Sequence, residues 1–154
     1  MIRGGYHFAQ PGQSSGAKQA KFFLKNGGGW SADGITLPGM LDIESNPSGN
    51  KCYGKSKKDM VAWIDDFVQT YHKKTCRWPM IYTSPSWWQE CTGNSKKFSK
   101  TCPLVLARWN DSPGKPIAGW ENISFWQYSN KYKYGGDGDK FLGDMDGLKK
   151  MATG

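Results

Sequence analysis

The sequence predicts an α/β domain built as an irregular (β/α) barrel, and two patterns support this fold class. Short apolar runs that fit strands alternate with segments that fit helices, an order that favours parallel strands joined by right-handed crossovers. The runs Met80–Tyr82 and Leu104–Ala107 are apolar almost throughout, as expected of strands that are covered on both faces. The 154 residues suffice for one domain with a real core and not for two, so residues 1–154 are assigned to a single domain.

Two strands and a short helix are predicted in the first third of the chain. The first strand occupies residues 4–11, which end in proline. The helix that follows takes Ser14 or Ser15 as its N-terminal cap and stops at the three glycines of residues 27–29. The second strand occupies residues 37–45.

The clearest helix lies in residues 56–74. Ser56 is placed to cap it, and Asp59 occupies the capping-box position. Six large apolar residues follow at the spacing of one helical face: Met60, Trp63, Ile64, Phe67, Val68 and Tyr71. Three further strands are predicted at residues 79–84, 103–109 and 123–129. A polar loop that contains tryptophan separates the first two of them, and residues 146–154 form a last half-turn of helix.

Composition and charge argue against several classes of function. No apolar stretch is long enough to span a membrane, so no membrane insertion is expected. The net charge of +8 favours an anionic partner, which includes nucleic acid, an anionic membrane and an anionic cell-wall polymer. The Lys and Arg residues are scattered, however, and the chain has no RNA-binding signature, zinc-finger spacing or basic helix. A nucleic-acid partner is therefore not predicted.

The chain is rich in aromatic residues and glycine, with 8 Trp, 7 Tyr and 20 Gly. Such a composition suits a surface that stacks on flat or ring-shaped ligands, of which sugars are one class. A tryptophan-rich core is the alternative, and some of the eight indoles are expected to serve there.

Four cysteines lie too far apart for the CxxC spacing of a metal site: Cys52, Cys76, Cys91 and Cys102. An even number in such a chain suggests two disulfides and an extracellular protein, with three pairings open. No signal peptide precedes them, and the chain starts directly in the first predicted strand. We expect a secreted protein whose signal peptide is not in this sequence.

Asp42 and Glu44 are the candidates for chemistry. Residues i and i+2 of a strand point to the same face, roughly 6.6 Å apart along the chain, so the two acids face together. Leu41 and Ile43 then pack on the other side. The pair lies at the C-terminal end of a strand, where α/β barrels place their chemistry. Mutual repulsion and partial burial raise the pKa of one member, and a protonated carboxyl supplies the general acid that glycoside hydrolysis needs.

The same Asp-x-Glu pattern has two other interpretations. Carboxylates at strand ends also cap the next turn or bind a metal ion. No histidine lies near the pair in the sequence to strengthen a metal site. The residues alone therefore favour a glycosidase that requires neither a metal nor an organic cofactor.

Six motifs occur in order along the chain: "RGGYHFAQP", "LPGMLDIE", "IYTSPSWW", "LVLARW", "GWENISFWQYS" and "GDGDKFLG". Their order and spacing resemble those of glycoside hydrolase family 25, the Chalaropsis-type lysozymes. The similarity runs from Ile2 nearly to the C-terminus, and residues 26–44 resemble the secreted fungal and actinobacterial branch. The resemblance implies a barrel of glycosidase type, with peptidoglycan glycan strands as the partner. It also implies hydrolysis of the β-1,4 bond that follows N-acetylmuramic acid.

The resemblance implies roles for individual residues as well. Glu44 matches the family's general acid, and Asp42 matches the carboxylate that positions or stabilises the 2-acetamido group of the substrate. Asp137 matches the final-strand carboxylate of the D-x-D-x-F motif, whereas Asp139 and the acids of residues 144–146 fit that role less well. Six residues lie at strand ends that line the family's groove: Tyr6, Tyr82, Arg108, Trp109, Trp126 and Gln127. For each aromatic among them, plain packing is the alternative.

The family resemblance extends to the cysteines. The secreted members resemble this chain at Cys52 and Cys91, which are expected to pair. Cys76 and Cys102 precede strands that are predicted to be neighbours, so a second disulfide between them is sterically reasonable. Free thiols are the alternative.

The chain departs from the family pattern at its start. Family members begin with a strand that bears another active-site Asp, in a G-I-D-V-S-like motif, and then a second strand–helix unit; neither is present. We therefore expect a barrel that lacks its first two strands, cannot close and leaves residues 4–11 as an unpaired edge. A shortened sequence is favoured over a non-catalytic relic and over a chain that closes by pairing with another copy. The full-length domain is expected to be a monomer.

Two other classes of function are kept as alternatives to the hydrolase. A non-catalytic peptidoglycan- or chitin-binding module would keep the aromatic platforms and release no reducing ends. A nucleic-acid binder driven by the positive charge would show steeply salt-dependent binding.

Overall fold

One six-stranded sheet organises the chain in the computed structural model, which describes residues 1–154. The strands are β1 (Tyr6–Phe8), β2 (Met40–Asp42), β3 (Met80–Thr83), β4 (Leu104–Ala107), β5 (Phe125–Ser129) and β6 (Gly138–Phe141). They lie in chain order across the sheet, with β1 to β5 parallel and β6 antiparallel to β5. β1 and β6 are the two edges, so the sheet is barrel-like but not closed. The predicted α/β class and the open barrel are confirmed.

Four α-helices accompany the sheet: α1 (Gly16–Phe23), α2 (Lys57–Thr75), α3 (Pro85–Thr92) and α4 (Met145–Thr153). The predicted caps of the first two are confirmed, because Ser15 accepts a hydrogen bond from the backbone N–H of Lys18 and Ser56 accepts one from Asp59. A π-helical turn, Leu24–Gly28, ends the first helical segment at the predicted glycines. None of these helices combines the length and the apolar composition that a membrane crossing needs.

Three elements differ from the sequence prediction. The polar loop predicted after β3 contains α3, which Pro85 starts and Gly93, in the left-handed conformation, ends. Its Trp87 and Trp88 are buried in the core, but a helix of eight residues gives too short a periodic pattern to recognise. α4 is longer than the predicted half-turn. β6 was not predicted because it is short and polar; it pairs with β5, and Phe141 packs against Phe125.

The core lies mainly between one face of the sheet and the helices. Alternate residues of the strands point into it, such as Leu41 and Ile81, both fully buried. α1 and α2 pack closely there because Gly16 has no side chain. A Cβ atom on Gly16 would come within 2.3 Å of the backbone oxygen of Trp63. The other face carries a small cluster of Met80, Tyr82 and Val105 and is otherwise polar toward the carboxyl ends of the strands. This second face holds the candidate site.

The disulfide prediction is half right. Cys52 and Cys91 are bonded, 39 positions apart in the sequence. The predicted second bridge is wrong, and the alternative of free thiols holds for Cys76 and Cys102. Cys76 is exposed in a left-handed turn after α2, whereas Cys102 is buried in the main core. The two side chains therefore lie in different environments and do not meet.

Removing the disulfide is expected to destabilise the protein. In the double variant Cys52→Ser/Cys91→Ser, the unfolded chain regains the entropy of a long loop, which should lower the free energy of unfolding by about 3–4 kcal/mol. Urea denaturation of parent and variant measures this difference. Cys76→Ser serves as the control, because that thiol is exposed and unbonded, and it should change stability little. Equal stability of the double variant and the parent would contradict the expectation.

Candidate active site

A cavity of about 340 Å³ lies at the carboxyl ends of the strands, on the face of the sheet opposite the main core that α1, α2 and α3 cover. Parallel strands of an α/β sheet present their chemistry at this end. Nine residues line it: Tyr6, Phe8, Met40, Asp42, Glu44, Tyr82, Gln127, Asp137 and Asp139. Four of the nine are acidic, and none is basic, so the cavity is strongly negative despite the net charge of +8 of the whole chain.

The alternation of β2 places Asp42 and Glu44 in this cavity. Leu41 and Ile43 are fully buried in the main core, so the residues between and after them point to the opposite face, as predicted. Asp42 is 8% exposed, whereas Glu44, just beyond the strand, is half-buried. One oxygen of Asp42, Oδ1, is buried without any hydrogen-bond partner in the protein. A buried lone carboxyl oxygen is costly, and it is left available for a proton or a ligand.

The environment of the pair favours the protonated form of both acids. Burial, followed by the negative charge of Glu44 and a hydrogen bond with it, raises the pKa of Asp42 to about 8. Burial also raises the pKa of Glu44, and the charge of Asp137 adds to this, against the hydrogen bond with Asp42. Both shifts favour retention of a proton by the pair as the pH rises toward neutral. Such a proton is what a general acid needs.

Two tyrosines respond to the same negative charge. Burial, then Glu44 and Asp42, raises the pKa of Tyr53 to about 12. Burial and the same two acids raise the pKa of Tyr82 well above its usual range. Both phenols are neutral hydrogen-bond donors: Tyr53 donates to the backbone oxygen of Ala9 at 3.2 Å, and Tyr82 donates to Oε1 of Gln127 at 2.9 Å.

The carboxylates at the other edge of the cavity come from the β5–β6 hairpin. Asp137 precedes β6 and accepts a hydrogen bond from Nε2 of Gln127 at 3.2 Å. Asp139 lies within β6 and also lines the cavity; desolvation, followed by the charge of Asp137, raises its pKa. Asp144 lies elsewhere, as the N-terminal cap of α4, where it accepts from the backbone of Gly147. Asp137 and Asp139 thus lie at the cavity with the Asp42–Glu44 pair, whereas Asp144 does not.

The six residues predicted to line the groove divide into two groups. Tyr6, Tyr82 and Gln127 line the cavity. Trp109 is not among the lining residues, but it is 58% exposed and its indole N–H donates to Oε1 of Gln127, which does line the cavity, at 3.1 Å.

Arg108 and Trp126 do not line the cavity. The guanidinium of Arg108 donates to the backbone oxygens of Pro113 and Lys115 and so holds the loop after β4. Trp126 points to the other face of β5, because strand neighbours alternate, and it packs against the main core. Its indole donates to the backbone oxygen of Arg108 at 2.7 Å.

Three residues of the site were missed by the sequence analysis. Phe8 and Met40 line the cavity, and alternation from Tyr6 in β1 would have found the first of them. Tyr53 approaches the acids from a loop, held by the neighbouring Cys52–Cys91 disulfide. No strand or helix pattern marks its position, so only the adjacent cysteine gave a signal.

Comparison with known proteins matches residues 1–137 of the chain to the family described as "Glycosyl hydrolases family 25". The chain belongs to this family. Its carboxylates, cavity and parallel sheet are therefore those of a family 25 domain.

Individual relatives agree with this assignment. The chain is 58% identical over 154 residues to the N,O-diacetylmuramidase of Arthroderma benhamiae, covering 100% of this chain and 65% of that protein. It is 56% identical over 155 residues to the N,O-diacetylmuramidase of Chalaropsis sp, covering 100% of this chain and 74% of that one. The structure of a family GH25 lysozyme from Aspergillus fumigatus superposes with a TM-score of 0.98 at 60% identity, covering 100% of this chain and 74% of that structure. This chain thus spans about two thirds to three quarters of the length of these family 25 relatives.

Proposed function

We propose that residues 1–154 form a single catalytic domain of an extracellular N-acetylmuramidase. The proposed reaction is hydrolysis of the β-1,4 bond between N-acetylmuramic acid and N-acetylglucosamine in peptidoglycan. The names of the relatives, muramidase and lysozyme, support this substrate class. The observation that carries the proposal is the Asp42–Glu44 pair in an acidic cavity, where burial raises the pKa of both acids. We infer that the pair holds one proton at neutral pH.

In this proposal Glu44 is the proton donor. It is the more accessible member of the pair, so a glycosidic oxygen in the cavity reaches it before Asp42. The proton that the pair shares reaches Glu44 through its hydrogen bond with Asp42 and passes to the leaving oxygen as the bond from that oxygen to the anomeric carbon breaks, which leaves Asp42 charged. A water molecule then adds to the anomeric carbon, and its proton returns to the carboxylate.

Asp42 and Asp137 contribute through their negative charge. Positive charge develops on the sugar ring as the bond breaks, and preorganised negative charge stabilises it. Asp42, with its free Oδ1, is suited to hold the 2-acetamido group or to face that positive charge. Asp137 lies close enough to raise the pKa values of both Asp42 and Glu44, so it helps to keep the proton on the pair until transfer.

Exposed aromatic rings and the overall charge suit a glycan polymer. Tyr6 is 63% exposed and Trp109 is 58% exposed, both beside the cavity, so their faces are available to sugar rings. The net charge of +8 attracts an anionic cell-wall polymer over a longer range. The domain is proposed to act as a monomer on such strands.

The test is release of new reducing ends from purified peptidoglycan by the 154-residue chain. The products are reduced with borohydride and analysed by mass spectrometry. We expect muramitol at the new ends, because cleavage after N-acetylmuramic acid leaves that sugar reducing. Ends derived from N-acetylglucosamine would contradict the proposed bond. Retention of the chain on peptidoglycan with no new ends would instead favour the non-catalytic binding module.

A further inference from the structure

The amide of Gln127 connects the aromatic side of the cavity to its acidic side. Gln127 lies in β5, is 5% exposed and has hydrogen bonds at both ends of its side-chain amide. Oε1 accepts from the hydroxyl of Tyr82 at 2.9 Å and from the indole N–H of Trp109 at 3.1 Å. Nε2 donates to Oδ2 of Asp137 at 3.2 Å.

The chemistry of these partners fixes which way the amide points. An indole N–H only donates, so the side of Gln127 that faces Trp109 must be the carbonyl oxygen. The neutral Tyr82 hydroxyl donates to the same oxygen. The –NH₂ group is therefore directed at Asp137, where a carboxylate only accepts. Both polar ends are thus occupied within the protein, and the oxygen accepts the two bonds that its lone pairs allow.

Asp137 depends on this one donor. No other hydrogen bond reaches its carboxylate, and no salt bridge involves it. Arg108, which directly follows β4, is bonded to loop carbonyls instead. The titratable groups that share the cavity with Gln127 and Asp137 are acids and phenols: Tyr6, Asp42, Glu44, Tyr82 and Asp139. A carboxylate among three other acids would turn away from them unless something held it.

We propose that Gln127 is a positioning residue, which holds Asp137 against the Asp42–Glu44 pair through its –NH₂ group, and not a residue that binds the glycan. Tyr82 and Trp109 orient the amide through their hydrogen bonds to its oxygen. The expected effect on the rate of hydrolysis rests on the proposed function, whereas the hydrogen bond between Gln127 and Asp137 does not.

The substitution Gln127→Glu tests the donor of the amide separately from its acceptor, because it removes the first and keeps the second. The introduced carboxylate has the same size and still accepts from Tyr82 and Trp109, but it has no proton to donate to Asp137 and repels it. Burial beside Asp137 raises the pKa of the introduced carboxyl above the ordinary value for glutamate, so variant and parent are compared from about pH 4 to about pH 9. Where the introduced carboxyl is ionised, we expect kcat for peptidoglycan hydrolysis to fall at least about tenfold, with KM changed by less than about twofold. As the pH falls and this carboxyl gains a proton, it gains an O–H donor, so the ratio of variant to parent activity should recover toward one.

Gln69→Glu is the matched control. Gln69 is exposed on α2, and its amide approaches Asp65 at 3.5 Å, so the same substitution beside an aspartate occurs far from the cavity. The control should match the parent at every pH. Three outcomes for Gln127→Glu would overturn the proposal: full activity at every pH up to about 9, a loss confined to KM, or a loss of kcat that does not shrink as the pH falls.

A second measurement does not require turnover. In the parent protein, NMR signals of the Gln127 side-chain amide are followed across pH together with the carboxyl carbon of Asp137. We expect the amide protons to shift with the same midpoint as that carbon, because the donor senses the charge of its acceptor. Amide signals that do not follow the Asp137 carbon would overturn the proposal. If parent and control are both inactive, the proposed function fails, and this titration still decides the role of Gln127.

Discussion

Glu44→Gln is expected to abolish hydrolysis of peptidoglycan while leaving glycan binding intact. The amide has nearly the same shape as the carboxyl but carries no transferable proton, and general acid catalysis contributes roughly 10²–10⁴-fold to rate. kcat for reducing-end release should therefore fall by that factor. The dissociation constant for a peptidoglycan fragment should stay within about threefold of the parent value.

The control for this variant is Glu121→Gln. Glu121 is exposed and paired with Lys100 on the surface, and it does not line the cavity, so its variant should retain full activity. Hydrolysis by Glu44→Gln at the rate of the parent would show that another group supplies the proton. Loss of both binding and hydrolysis, with a lowered melting temperature, would indicate a folding defect and not a catalytic role.

Asp42→Asn is expected to move the pH optimum of hydrolysis to more acidic values. The introduced amide holds no titratable proton and donates an N–H to Glu44, which favours the charged form of that acid. Glu44 is then ionised near neutral pH, so kcat/KM at pH 7 should fall by about 10²-fold and recover part of the loss near pH 4–5. The alkaline limb of the pH–rate profile measures this directly. Asp146→Asn is the control, because that side chain is 93% exposed and remote from the cavity. An alkaline limb unchanged from that of the parent would contradict the claim that Asp42 and Glu44 share one proton.

The same substitution is expected to stabilise the fold. The pKa of Asp42 is raised from 3.8 to about 8, so between these values the folded protein holds a proton that the unfolded chain releases. Stability of the parent therefore falls as pH rises through this window, and the variant is free of that penalty. With each pKa unit worth about 1.4 kcal/mol, the variant should gain at least about 2 kcal/mol in free energy of unfolding at pH 8, and little at pH 4. An equal gain in free energy of unfolding at both pH values, or a loss at pH 8, would contradict the claim that ionising the buried Asp42 destabilises the fold.

The sequence predicted which end of the sheet carries the candidate site because that end depends on a local rule. Strand alternation alone put Asp42 and Glu44 opposite Leu41 and Ile43, and the structure agrees. The long helix was equally predictable, since its six apolar residues repeat over about three turns and its cap follows the common pattern.

Features that depend on contacts distant in the sequence were not predictable in the same way. The burial of Cys102 and the exposure of Cys76 are set by the packing of the core, and the spacing of the cysteines does not encode it. Trp126 and Gln127 are neighbours in β5, and only the three-dimensional register decided which of them faces the cavity. The two ends of the Gln127 amide join residues from three parts of the chain, and no motif of one segment contains that network.

The central claim is that Asp42 and Glu44 hold one proton between them at neutral pH. The most direct test is an NMR titration of their carboxyl carbons in the 154-residue chain, assigned with Asp42→Asn and Glu44→Gln. We expect one carboxyl of the pair to remain protonated at pH 7 and to titrate near pH 8, following the raised pKa of about 8 for Asp42. Full ionisation of both carboxyls below about pH 5, as for ordinary surface acids, would contradict the claim.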